Sequence, residues 1–239
     1  MSKNIYALID CDNFYVSCER VFRPDLNNKP VAVLSNNDGC IVSRSNEVKE
    51  LGIKMGTPYF EIKQIAKEKG IEIFSSNYAL YSDISQRIVK TLERFSPEIE
   101  VYSIDESFIK LLIPKEKCTE YGRKIRETIL KEVGVPTTVG IAYTKTLTKV
   151  ASKVAKRDPK YKGVLSLLET DKNDKYLELV EVGDVWGVGR KYSQWLNSQG
   201  IHTAKDLKYA DRKKIRKRMT VEGYRTVMEL NNVECIPLE

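Results

Sequence analysis

The chain has 239 residues, 41% hydrophobic and 31% charged, a composition that suits a globular protein with a real core in one large or two smaller domains. MSKNIYALID is too short and too polar for a secretory signal, no run reaches the roughly 18 apolar residues of a membrane span, and five scattered cysteines without a CxxC pair support neither a disulfide framework nor a zinc site and fit a reducing cytoplasm. The net charge of +7 is uneven: Tyr143–Lys162 carries seven Lys/Arg against one acid, and RKKIRKR (212–218) has six basic residues in seven, which fits a polyanion partner as well as a solvated helix face.

In chain order, IYALID (Ile5–Asp10) reads as a buried first strand ending in acid. FYVSCERVF suits a helix, VAVL a strand, NNDGC a turn and IVS another strand, with two short helices around LGIKMGTP. A long amphipathic helix is expected over Asn77–Phe95, with Ile84, Ile88, Val89 and Leu92 at helical spacing, Asn77 as its cap and Ser96–Pro97 as its stop. Strand IEVY, an Asp–Glu turn and strand FIKLLI follow, then a helix over Cys118–Val133 and strand TVGIA after Pro136.

With 14–76 set aside as an insertion, the order is β-α-β-β-α-β, the ferredoxin-like arrangement of an α+β protein. Its sheet places the third strand antiparallel beside the first. Asp10, at the end of the first strand, then meets Asp105 and Glu106 at the start of the third. Taken alone, the Asp–Glu pair of YSIDESF is a solvated hairpin tip; the convergence of a third acid argues for more. Three carboxylates in one cleft raise at least one pKa unless a cation neutralises them. All-oxygen donors with the single histidine, His202, far away favour Mg²⁺ or Mn²⁺ over zinc. Asp12, two residues on from Asp10, would face the same side of a continuing strand. An acidic metal site beside basic patches describes an enzyme acting on nucleotides or nucleic acid.

DCDNFYVSCE (10–19), KPVAVLSNNDGC (29–40), KMGTPYF (54–60) and YSIDESF resemble the Y-family translesion DNA polymerases, specifically the UmuC-like branch, in the right order along essentially the whole chain. The resemblance implies a ferredoxin-like palm (1–13 and 77–170), inserted fingers (14–76) and an all-α thumb with a helix-hairpin-helix (171–239). It implies that Asp10, Asp105 and Glu106, assisted by the Cys11 carbonyl, hold two Mg²⁺ while a primer 3′-OH attacks the α-phosphate of a dNTP. Relatives often carry Asn at the Asp12 position, which argues against an essential ligand there. Tyr15, beside Phe14, matches the steric gate that rejects a 2′-OH. Ser43, Lys49 and Lys156, with Arg44 and Asn46 nearby, match the triphosphate contacts, and Lys149, Lys153 and Lys156 form a phosphate-facing stripe on one helix face. Lys49 stands where many relatives have Arg, a point charge for a bidentate fork.

VGDVWGVGRKYSQWLNSQGI followed by TAKDL resembles a helix-hairpin-helix whose Gly187, Gly189, Arg190 and Lys191 would take a DNA phosphate; Trp186 and Trp195 read as thumb-core residues, and Tyr6, Tyr59, Phe60 and Tyr102 as core or interface. Polymerases of this family continue into a little-finger domain. Its absence from these residues, with that of a clamp-binding peptide and tail, suggests a piece of a longer cytoplasmic, nucleoid-associated protein, with weak synthesis alone. The expected partners are primer–template DNA and dNTP, with a UmuD-like accessory protein, a recombinase filament and a sliding clamp for the longer protein, and no membrane. The competing readings are a metal-dependent nuclease and a non-catalytic DNA-binding or regulatory fragment.

Overall fold

The computed structural model describes residues 3–239. Strand β1 (Tyr6–Cys11) leads into α1 (Phe14–Phe22), β2 (Val31–Leu34), β3 (Ile41–Arg44), α2 (Asn46–Glu50), α3 (Tyr59–Glu68), β4 (Glu72–Phe74) and α4 (Tyr78–Leu92). Then come β5 (Ile99–Val101), β6 (Glu106–Lys110), α5 (Cys118–Glu132), β7 (Thr137–Ala142), α6 (Lys145–Arg157) and β8 (Val164–Ser166). Four helices complete the described residues: α7 (Asp174–Leu177), α8 (Arg190–Ser198), α9 (Ala204–Tyr209) and α10 (Arg212–Leu230). No helix among the described residues is long and apolar enough to cross a membrane.

The larger sheet runs β5-β6-β1-β7-β8, so the third strand of the expected pattern, β6, does lie antiparallel beside β1. That is the ferredoxin-like order with one strand added. Tyr6–Ile9 of β1 are all buried, as suits a central strand covered on both faces. β8 pairs in parallel with β7, and β4 joins β3-β2-β4, the smaller sheet. Neither β4 nor β8 was expected; strands of three residues are too short to show a period of two. Asn77 caps α4 as anticipated, its Oδ1 accepting from Leu80 N at 3.1 Å.

The chain packs as two compact units: residues 1–10, 92–127 and 138–239, and residues 11–91 and 128–137. These limits differ from those expected: α4 and the end of α5 go with the inserted segment, and the C-terminal helices go with the larger sheet.

In the first unit, Leu147, Val150, Ala151 and Val154 of α6 join Leu165, Leu196, Leu207 and Leu230 in one core; each such fully buried Leu or Val contributes about 1.5–3 kcal/mol. The apolar face of α6 follows helical spacing. Thr144 caps the helix, accepting from Leu147 N at 3.3 Å, and Asp158–Pro159 ends it. Gly140 on β7 is the contact that lets α6 lie close. A Cβ there would stand 2.1 Å from Thr148 O and 2.5 Å from Ser152 N.

The buried Glu229 carboxylate accepts from Thr146 N and Oγ1 at 2.9 and 2.8 Å, and from Cys235 N and Ile236 N at 3.1 and 3.0 Å, fastening α10 to the start of α6. In the second unit the small sheet and α2 and α3 enclose Ala32, Leu34, Ile41, Val48, Ile62 and Ala66.

Candidate active site

The antiparallel register of β1 and β6 pairs Asp10 directly with Glu106, and Asp105 comes next in the chain. The turn from β5 is tight: Tyr102 N and Ser103 N both donate to Glu106 O, at 3.0 and 3.1 Å. Ser103 Oγ donates to Asp105 Oδ1 at 2.7 Å and accepts from Glu106 N at 3.1 Å. Thus the first serine of YSIDESF fixes the turn that presents both acids.

Helix α6 lies over this strand end and supplies countercharge. Lys149 Nζ donates to both oxygens of Glu106 at 2.9 Å each. Lys156 Nζ donates to Asp10 Oδ1 at 2.6 Å, and Ser152 Oγ to Asp10 Oδ2 at 3.3 Å. Spacings of three and four residues put 149, 152 and 156 on one helix face, and Gly140 brings that face down. The expected phosphate-facing stripe is divided: Lys149 and Lys156 hold the two acids, while Lys153 pairs with Asp184 at 2.7 Å.

Among the described residues, no group of three or more Asp, Glu, His or Cys side chains stands arranged to hold a metal ion. Ser103 and the two lysines each hold one of the carboxylates. The side-chain donors of Asp10, Asp105 and Glu106 at this strand end are all oxygen, a set that suits a hard divalent ion. Cys11 closes β1 with its side chain buried.

Sequence reasoning left Lys149 among phosphate contacts and missed Ser152. It also placed Trp186 in a core. Trp186 is half-buried, its Nε1 donates to Tyr102 Oη at 3.0 Å, and Lys149 Nζ lies 5.5 Å from its ring centroid. The signal was a tryptophan set directly before Gly-Val-Gly. Trp195 does pack against the core as expected.

In the second unit, Phe14 is buried and Tyr15 half-buried at the start of α1. The Tyr15 ring stacks on Tyr81, centroids 4.2 Å apart and 13° from parallel, with Tyr78 edge-on at 6.1 Å. Tyr81 is fixed in turn, its hydroxyl donating to Glu19 Oε1 at 2.7 Å; burial, more than that bond, drives its pKa upward. Ser43 is buried on β3 and its Oγ accepts from Val16 N at 3.5 Å. Lys49 Nζ donates to Asn13 Oδ1 at 2.6 Å and Asn46 Oδ1 at 3.3 Å, so these polar groups form one cluster. Arg44 Nε is buried with no hydrogen-bond acceptor. Phe60, expected in a core or interface, is 78% exposed.

Gly187 adopts a positive φ of 86°, the left-handed turn glycine allows, and Gly189 precedes α8. Gly187, Gly189, Arg190 and Lys191 are all exposed. The six basic residues of RKKIRKR are exposed on the first turns of α10, while Ile215 is buried.

The impB/mucB/samB family model matches residues 9–153, from the end of β1 through the turn and most of α6. The chain belongs to the ImpB/MucB/SamB family. Protein UmuC of Salmonella typhimurium is 48% identical over 238 residues, 98% of this chain and 56% of that protein. The chain therefore spans little more than half the length of that relative. DinB from Sulfolobus solfataricus superposes with a TM-score of 0.81 at 26% identity, over 98% of this chain and 69% of that one. A Y-family DNA polymerase chimera of Dbh and Dpo4 gives 0.82 at 25% identity, with 98% and 69% coverage. The chain thus shares its α+β fold with these Y-family DNA polymerase structures.

Proposed function

We propose that these residues form the catalytic core of an error-prone, template-directed DNA polymerase of lesion bypass. The observation that carries the reading is the pairing of Asp10 with Glu106 across β1 and β6, with Asp105 beside it. Membership of the family and the likeness to Y-family polymerases support it.

In this reading the larger sheet is the palm, residues 14–76 the fingers and 171–239 the thumb. Asp10, Asp105, Glu106 and the Cys11 carbonyl would hold Mg²⁺, or Mn²⁺ in its place. Two such ions, when bound, help activate the attacking oxygen and stabilise the leaving one. Lys149 and Lys156 supply countercharge to Glu106 and Asp10 until then, and Lys156 is then available for a triphosphate. Ser43, Arg44, Asn46 and Lys49 contribute hydroxyl and cationic donors of the kind phosphates need, the unpartnered Arg44 Nε among them. Phe14 backs Tyr15, and Tyr15, held by its stack on Tyr81, leaves no room for a 2′-OH. The primer 3′-OH attacks the α-phosphate and pyrophosphate leaves; positioning and electrostatics carry the rate.

Gly187, Gly189, Arg190 and Lys191 are assigned to the duplex phosphates. The relatives' further length leaves the 239 residues alone with weak, distributive synthesis. A UmuD-like protein, a recombinase filament and a sliding clamp are partners that the resemblance alone assigns to the whole protein.

Primer extension past an abasic site, with Mg²⁺ and with or without dNTPs, tests the reading. Extension dependent on dNTPs and lost in Asp105→Ala and Glu106→Ala is expected. Primer shortening without dNTPs would establish a nuclease instead. Incorporation unchanged in both variants would establish a binding module.

A further inference from the structure

Lys149 is held on Glu106 by more than charge. Its ammonium lies 4.3 Å from the Tyr102 ring centroid, 5.5 Å from that of Trp186 and 5.8 Å from that of Phe108. The rings brace one another. Tyr102 and Trp186 meet edge-on at 5.6 Å, Tyr102 and Phe108 at 5.7 Å, and the indole N–H donates to the Tyr102 hydroxyl at 3.0 Å. Three aromatic faces within about 6 Å of one cation form a cage of the kind that binds ammonium ligands.

Two of those rings belong to the sheet and its turn. Trp186 does not; its own peptide runs into Gly187, whose φ of 86° makes the sharp corner before α8. A filler of the core would need neither the hydrogen bond to an exposed tyrosine nor a place over a charged lysine. Both oxygens of Glu106 already accept from Lys149, so an ion that takes either oxygen meets the repulsion of an ammonium held on the same carboxylate. The tighter the cage grips Lys149, the more ion is needed.

We propose that Trp186 is a positioning residue: it latches Lys149 onto Glu106, and a phosphate seated on the Gly187–Lys191 corner shifts the indole and opens the latch to a divalent ion. This rests on the assignments of Glu106 to ion binding and of that corner to DNA made above. DNA binding and ion loading are then linked, and the linkage is reciprocal.

The test is a Mn²⁺ titration of the chain, free ion read by electron paramagnetic resonance, with and without primer–template DNA and corrected for ion held by DNA alone. In the parent, saturating DNA should tighten Mn²⁺ binding about fivefold, the share one cation–π contact can carry. Trp186→Leu should bind Mn²⁺ about fivefold more tightly than the parent without DNA and gain nothing further with it. Trp186→Phe, which keeps a ring, should restore most of the parent's behaviour, a rescue that a merely structural role would not give. Lys149→Met, which removes the competing ammonium altogether, should bind Mn²⁺ without DNA at least as tightly as Trp186→Leu and likewise gain nothing further with it, and it carries the test if that variant does not fold. A folded Trp186→Leu with the parent's affinities in both conditions overturns the latch. Glu106→Gln separates the two readings: if it binds Mn²⁺ as the parent does, the ion assignment itself fails.

Discussion

Replacing Gly140 with alanine would test the packing that brings α6 onto the acids. The new Cβ would stand 2.1 Å from Thr148 O and 2.5 Å from Ser152 N. Both are backbone atoms of α6, so neither can rotate away. Ordinary contact begins near 3.4 Å, so the helix would have to withdraw by the difference from 2.1 Å, about 1.3 Å. Overpacking against backbone is expected to destabilise the fold by about 3 kcal/mol, read as a fall in the guanidinium midpoint. Ser152 and Lys156 would move with the helix, and a misplacement of about 1 Å costs roughly 100-fold in turnover, read by single-nucleotide insertion at saturating dNTP. Gly122→Ala is the control. Its nearest neighbours would be side-chain methyls, of Val164, Ile141 and Val139 at 3.0, 3.1 and 3.4 Å, and alanine suits a helix better, so stability should stay within about 1 kcal/mol of the parent. If Gly140→Ala behaved like Gly122→Ala in both assays, the β7–α6 contact would not be what seats the lysines.

Tyr15→Ala should relax discrimination against ribonucleotides by at least about tenfold in kcat/KM; an unchanged ratio would remove Tyr15 from the gate. Glu229→Ala strands the donors of Thr146, Cys235 and Ile236 in a buried place and should cost about 3 kcal/mol or more in urea unfolding, whereas a loss under 1 kcal/mol would show that water replaces the carboxylate there. Asp174 accepts from Lys208 Nζ at 2.6 Å and Tyr209 Oη at 2.7 Å, and the lysine bond, helped by the tyrosine and opposed by partial burial, holds its pKa below the usual carboxylate range. A depressed folded value stabilises above the unfolded value, about 3.9, and that contribution is lost as pH falls through the folded value. Asp174→Asn should therefore lower the urea midpoint at pH 7 and converge with the parent in acid; a gap that does not vary with pH refutes the pairing.

The order of elements was legible because hydrophobic periodicity separates long helices from strands, and β-α-β-β-α-β order then places the third strand beside the first. That order alone brings Asp10 to Asp105 and Glu106. What periodicity cannot say is which neighbour a helix face meets. Lys149, Lys153 and Lys156 share a face by spacing, yet they find Glu106, Asp184 and Asp10, because Gly140 sets the depth of α6 and nothing in the lysines records that. β4 and β8 escaped for want of length. Unit limits escaped because they follow packing, which attaches α4 and the tail of α5 to the inserted segment. Trp186 read as core since most tryptophans fill cores; its position before a glycine corner was the only clue to another use.

The pairing of Asp10 with Lys156 and Glu106 with Lys149 also bears on how the molecule comes into being. Acids that had to wait for a metal would make folding hostage to its supply. The same chain carries their countercharges on a neighbouring helix, so, if the acids take ions as proposed, a newly made chain would reach its final shape in a chelating medium. On that reading assembly and arming are separate events: the scaffold forms first, and the arrival of ion would decide only when it works.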